Sequence, residues 1–195
     1  MIKLNLQAQT LQKLTQLVNP QNGSSFDFLG FKLNLETGTL TDKLNGNWMR
    51  NLSEWHIQLL ATLLAHYSLG NPAPMAGKLI KFKGIPGGYA YEGAFVQRAI
   101  QPVAEVFGEK PEELPTVARL LGGLRLNLGD SSVEINALKG IPLTYILWKA
   151  DEFPASATIL YDESASNYLP TEDLAGLGEI TTSRLIEAKK IMIIK

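Results

Sequence analysis

Apolar residues recur along this chain at two periods, near 3.6 in the first two thirds and at 2 from about residue 124, so helices are predicted early and strands late. Leu11, Leu14, Leu17 and Val18 share one face of a helix over 9–18 that stops at Asn19-Pro20. Phe26–Leu29 and Phe31–Leu35 read as short strands, with Thr37-Gly38 turning the chain into Leu40. Ser53 is a suitable N-cap for a helix running to about Leu69, where Gly70-Asn71-Pro72 ends it. Leu79–Phe82 is a strand, followed by the loop Gly84–Gly88 and a helix from about Tyr91 to Phe107 that Pro102 is expected to kink. Pro111 opens a further helix that closes at Gly122-Gly123.

Beyond that point the alternation takes over. Leu124, Leu126 and Leu128 alternate with Arg125 and Asn127, Gly129-Asp130-Ser131 turns the chain, and Val133, Ile135 and Ala137 alternate with Glu134 and Asn136. That is a hairpin with one wet face, and Pro142–Trp148 and Thr158–Tyr161 follow as strands. Thr171 is placed to cap a closing helix, with Glu172 and Asp173 in its first turn and Lys189 and Lys190 in its last, as the helix dipole prefers. The expectation is an α+β fold: one domain over 1–195, with an antiparallel meander at about 124–162 packed against several helices. The segment 20–50 reads as a peripheral hairpin or flap.

Composition narrows the chemistry. The chain has 195 residues, 45% hydrophobic and 19% charged, with a net charge of −1, so no bulk field gathers nucleic acid or anionic lipid. The absence of cysteine excludes disulfides, thiolate zinc sites, cysteine-ligated clusters and a cysteine nucleophile within the chain. No cofactor is expected within the chain, and a metal would have to rely on carboxylates. The start MIKLNLQAQT lacks a signal peptide's apolar core, and no apolar run reaches the ~18 residues of a membrane span. The expected location is therefore the cytoplasm, and the sequons at Asn22 and Asn51 read as chance matches.

Candidate sites are few. Gly70 to Leu79 has only a superficial likeness to a phosphate-binding loop; its spacing is too long, and Leu79 stands where a magnesium-ligating hydroxyl belongs. Gly87, Gly88 and Tyr89, with Lys81 and Lys83 upstream and Arg98 on the following helix, form a candidate anion site at a helix start. The same glycines also read as a tight turn requiring positive φ. His56 falls in the apolar stripe of Leu59, Leu60, Leu63 and Tyr67, whereas His66 lies on its rim above Trp55, Leu59 and Thr62, as a pocket residue or as helix-end packing. Trp148 opens the run Trp148–Pro154, which includes Asp151 and Glu152. Neighbouring carboxylates on a strand point apart, so these two form no dyad. They are candidate cation ligands if loops bring Asp162, Glu163 or Asp173 to them, and turn-solvating acids otherwise.

The run Ile146–Ala155, then Ile159-Leu-Tyr-Asp162, then Tyr168-Leu-Pro-Thr-Glu-Asp-Leu174, resembles the C-terminal signature of a family described only as a domain of unknown function in anaerobic bacteria and archaea. Phe82, Gly87-Gly88 and Phe107-Gly108 are similar to its middle section, so the resemblance covers about residues 60–185. Some members carry a cysteine-rich iron–sulfur segment, and some accompany corrinoid or one-carbon metabolism. This copy departs from the pattern in having Ala150 where a glycine stands and one acid fewer before Phe153-Pro154, which weakens any carboxylate role.

Three functions stay open. The first is a non-catalytic ligand-binding or accessory domain for an iron–sulfur or corrinoid partner protein. There Gly87, Gly88 and Arg98 would hold a small anionic ligand, and Trp55, Tyr89 or Trp148 would line the pocket. The second is a metal-assisted acid–base enzyme using Asp151, Glu152 and His66. The third is a protein–protein interaction module. Neither nucleic acid nor membrane is expected as a partner.

Overall fold

The computed structural model describes residues 1–20, 23–44 and 54–194. Its elements are helices and two antiparallel sheets, an α+β fold as the change of period predicts. The first sheet contains β1 (Ile2–Lys3), β2 (Ser25–Phe28), β3 (Phe31–Asn34) and β4 (Thr39–Asp42), in the order β1-β4-β3-β2. The second contains β5 (Leu79–Lys81), β6 (Leu124–Leu126), β7 (Ser131–Leu138), β8 (Ile141–Trp148) and β9 (Ser156–Asp162), in the order β5-β9-β8-β7-β6. The meander expected over 124–162 is thus present, and β5 adds to it from a distance by pairing Leu79 with Asp162. Residues Ile141 to Leu147 of β8 are all buried, so the middle strand is covered on both faces.

The helices are α1 (Ala8–Val18), α2 (Glu54–Tyr67), α3 (Gly88–Phe95), α4 (Gln101–Phe107), α5 (Glu113–Ala118) and α6 (Thr171–Ile194). The expected cap at Ser53 and the sequons lie outside the described residues, as do residues 21, 22 and 45–50 of the 20–50 segment. The rest of that segment supplies β2, β3 and β4, and its Phe26, Phe28, Phe31, Leu33 and Leu40 belong to the same buried cluster as β7, β8 and α6.

Between α3 and α4 the helix widens into a π turn over Val96–Ile100, just before Pro102. Proline has no N–H and crowds the carbonyl four residues back, and the wider turn absorbs both effects where a kink was expected. The Ala99 carbonyl is met by the Thr182 hydroxyl at 2.9 Å. In α6 the Thr171 hydroxyl donates to the Pro86 carbonyl at 2.6 Å, tying the loop before α3 to the start of α6. Because α6 runs on to Ile194, Lys189 does not end it; its ammonium donates to the Val106 carbonyl and pairs with Glu113.

Helix α6 also carries the tightest link between the two sheets. Arg184 is 0% exposed. Its guanidinium donates to Asp42 on β4 at 2.6 and 3.2 Å and to the Leu29 carbonyl at 3.0 Å, and lies 4.0 Å over the Phe31 ring. Leu29 and Gly30 form the β2–β3 turn with φ of 47° and 72°, a left-handed pair that glycine takes freely and leucine does not. The arginine thus holds a turn that its own residues disfavour. Replacing Asp42 with Ala strands a buried cation and is expected to cost about 3–5 kcal/mol in urea unfolding, whereas the apolar pair R184M/D42L recovers part of that loss.

Candidate functional site

His66 sits on the last turn of α2, on the rim of the stripe whose Leu60, Leu63, Leu64 and Tyr67 are buried. Its side chain is 48% exposed, while Asp173, in the first turn of α6, is 9% exposed. The two are joined through His66 Nδ1 and Asp173 Oδ2. A carboxylate only accepts, so Nδ1 carries a proton, and whenever the ring is neutral Nε2 keeps a free lone pair. His66, though not Asp173, lines a cleft of about 410 Å³ together with Leu69, Gly70 and the segment 166–170. An imidazole held in one tautomer at a cleft can accept a proton, receive a hydrogen bond or ligate a metal through Nε2.

The cleft walls are fixed by Asp162 at the end of β9. Its carboxylate accepts from the Ala76 and Gly77 amides at 2.8 Å each, and from the Ser164 amide and hydroxyl. Burial is the largest influence on Asp162 and raises its pKa, but these four donors outweigh it and hold the carboxyl below the ordinary aspartate range. Nearby, the Asn71 amide donates to the Asn167 carbonyl at 2.9 Å, and Tyr168 Oη donates to the Ala73 carbonyl at 3.1 Å. Residues 71–77 and 163–168 are therefore laced together beside His66.

The other residues singled out from the sequence lie elsewhere. Gly87 has φ of 80° and precedes α3, while Gly88 is buried so closely against Phe82 that a Cβ there would overlap the Phe82 carbonyl oxygen. Gly87 thus has a conformational reason and Gly88 a packing one. Tyr89 is 83% exposed. Arg98 lies ten residues beyond Gly88, about 15 Å of helix rise, and is 3.7 Å from Glu179 of α6. Trp55 and Arg98 do come together, lining one cavity with Tyr91, Glu172 and Glu179.

Trp148, Asp151 and Glu152 belong to the far end of β9. Trp148 closes β8 half-exposed, and the Asp151 carboxylate accepts from the Glu152 and Phe153 amides of its own turn. The seven residues of β9 separate that turn from the Asp162 end, about 20 Å at 3.3 Å per residue. Among the described residues, no three His, Asp or Glu side chains cluster as metal ligands. Asp173, read from the sequence as a dipole residue, is the partner that sequence reasoning missed. The available signal is its place on the stripe Asp173, Leu177, Ile180, Arg184, where two charged residues share a buried helix face.

Residues 19–184 match the family described as Domain of unknown function (DUF3786). The chain belongs to that family. No curated protein and no solved structure matches it. His66, Asp162, Asp173 and Arg184 all fall within the DUF3786 match, and the resemblance drawn from 146–174 lies inside it as well. No helix among the described residues is long and apolar enough to cross a membrane.

Two outcomes follow from this geometry. Gly88→Ala is expected to destabilise the fold by about 1–3 kcal/mol or more in thermal unfolding, because backbone cannot yield as a flexible side chain does. Since folding lowers the pKa of Asp162, its contribution is complete above the ordinary value of 3.8 and drains away as pH falls below it. Amide exchange at Ala76 and Gly77, corrected for intrinsic rates, should accelerate in that acid window, and D162A should abolish the pH dependence.

Proposed function

We propose that this DUF3786 chain is a small-ligand-binding domain whose site is the cleft at His66. The observation that carries this reading is the buried Asp173 carboxylate fixing a half-exposed imidazole at a cleft of about 410 Å³. An ordinary surface histidine needs no such support, and a structural one would not keep a ring nitrogen facing open space. The fixed ring favours a ligand that donates a hydrogen bond to Nε2 or brings its own metal to it. Service to an iron–sulfur or corrinoid partner in anaerobic metabolism is the setting that the family resemblance suggests for such a domain.

A second reading, an acid–base enzyme, draws on the same pair. Asp173 in place of Asp151 and Glu152 would orient His66 as the base, since the length of β9 keeps those two acids away.

The test is native mass spectrometry of the protein purified without oxygen, with a fragment screen monitored at the His66 ring resonances. Wild type is expected to carry a reproducible bound mass or to show saturable shifts at His66. D173N should weaken that response by about tenfold or more, and H66Q should lose the bound mass, both while remaining folded. Neither a bound mass nor any fragment response at His66 would overturn the reading. Turnover of a bound fragment that ceases in D173N would favour the enzyme.

A further inference from the structure

A second cavity opens between α2, α3 and α6, lined by Trp55, Tyr91, Phe95, Arg98, Glu172 and Glu179, and the reading of His66 makes no use of it. Its volume is about 180 Å³. At ~30 Å³ per water, that is room for about six waters, or an occupant of about six to eight non-hydrogen atoms.

Its walls carry both signs of charge beside aromatic faces. Glu179 is 17% exposed and Arg98 62%, and their closest atoms stand 3.7 Å apart. At that separation the ion pair is loose, and a guanidinium with five N–H donors and 62% exposure has donors left for a further acceptor. Loss of water around Glu179 pushes its carboxyl above the ordinary glutamate range, against the opposing pull of Arg98. Tyr91 Oη donates to one oxygen of Glu172 at 2.7 Å, which sets that carboxylate at the cavity edge. Trp55 remains 54% exposed, and Gly176 keeps the floor low beneath Leu59.

We propose that this cavity binds a small zwitterion, a molecule with an ammonium group and a carboxylate, of the amino-acid or betaine type. The ammonium would sit between Glu172 and Glu179 against the Trp55 and Tyr91 rings, where carboxylates and aromatic faces both favour a cation. The carboxylate would take the two-pronged guanidinium of Arg98. A simple cation would compete with Arg98 for Glu179 and offer the guanidinium nothing, and a simple anion would meet two carboxylates. Only an occupant bearing both charges satisfies every wall. This inference stands independently of the His66 site.

The test uses four probes, glycine betaine, L-alanine, tetramethylammonium and acetate, titrated while the indole resonance of Trp55 (assigned with W55F) is followed by NMR. At least one zwitterion is expected to bind saturably with a Kd of about 1 mM or tighter, and tetramethylammonium and acetate at least about tenfold more weakly. R98A and E179Q should each weaken zwitterion binding about tenfold or more, while E109A, altering an exposed residue outside the cavity, leaves it unchanged. Amide spectra establish that each variant is folded. Equal binding of tetramethylammonium and the zwitterions, undiminished binding in R98A, or no Trp55 response to either zwitterion overturns the proposal.

Discussion

A guanidinium sealed from water must be neutralised and hydrogen-bonded on the spot, and Arg184 meets that demand by drawing three elements together. Its carrier, α6, would otherwise be one more helix on the second sheet. Through Asp42, the Leu29 carbonyl and the Phe31 ring, the same residue reaches into the first sheet and fixes its left-handed turn. The hydroxyls of α6 and its partners extend the hold. Thr182 donates to the Ala99 carbonyl within the π turn and meets Tyr145 of β8 at 3.2 Å, and Tyr161 of β9 donates to the Leu174 carbonyl. Removing one charge of a buried pair costs far more than replacing both with apolar groups, so what the pair supplies is placement more than net stability.

Both candidate binding places follow from the position of α6. Asp173 and Glu172 are neighbours at its start, and a step of about 100° per residue sends them in different directions. Asp173 turns inward to hold His66 of α2, while Glu172 turns toward Tyr91 of α3. One helix thus borders two openings with different chemistry, an imidazole held by a carboxylate and a cavity of mixed charge. The first carries the proposed function. The second enlarges what the domain can recognise.

The fold was largely legible because it is written in short-range pattern. The alternation from Leu124 to Ala137 does mark a hairpin, although Leu124 and Leu128 stay exposed. Helices end at Gly70 and Gly108, while Gly176 and Gly178 sit inside α6. Pairing across the chain was not legible. His66 and Asp173 stand 107 residues apart, and local spacing carries no information on such a contact. The anion-site reading of Gly87 and Gly88 rested on a true local feature, glycines before a helix. The positive φ of Gly87 and the close approach of Gly88 to Phe82 each give them a structural reason as well. Arg98 seemed to belong with those glycines because it follows them in sequence, yet the helix between them carries it to a different opening. Asp151 and Glu152 stood out for their charge between apolar strands, and a β-strand's length keeps them from His66.

The central claim is that Asp173 holds His66 in one tautomer with Nε2 free to meet a ligand. Nitrogen-15 NMR of the histidine rings, read near pH 8 where free imidazole is neutral, measures this directly. The account predicts a protonated Nδ1 and an unprotonated Nε2 at His66, with the Nδ1 proton slow to exchange, and loss of that bias in D173N. A ring averaging between tautomers in the wild type, or a proton resident on Nε2, would contradict it.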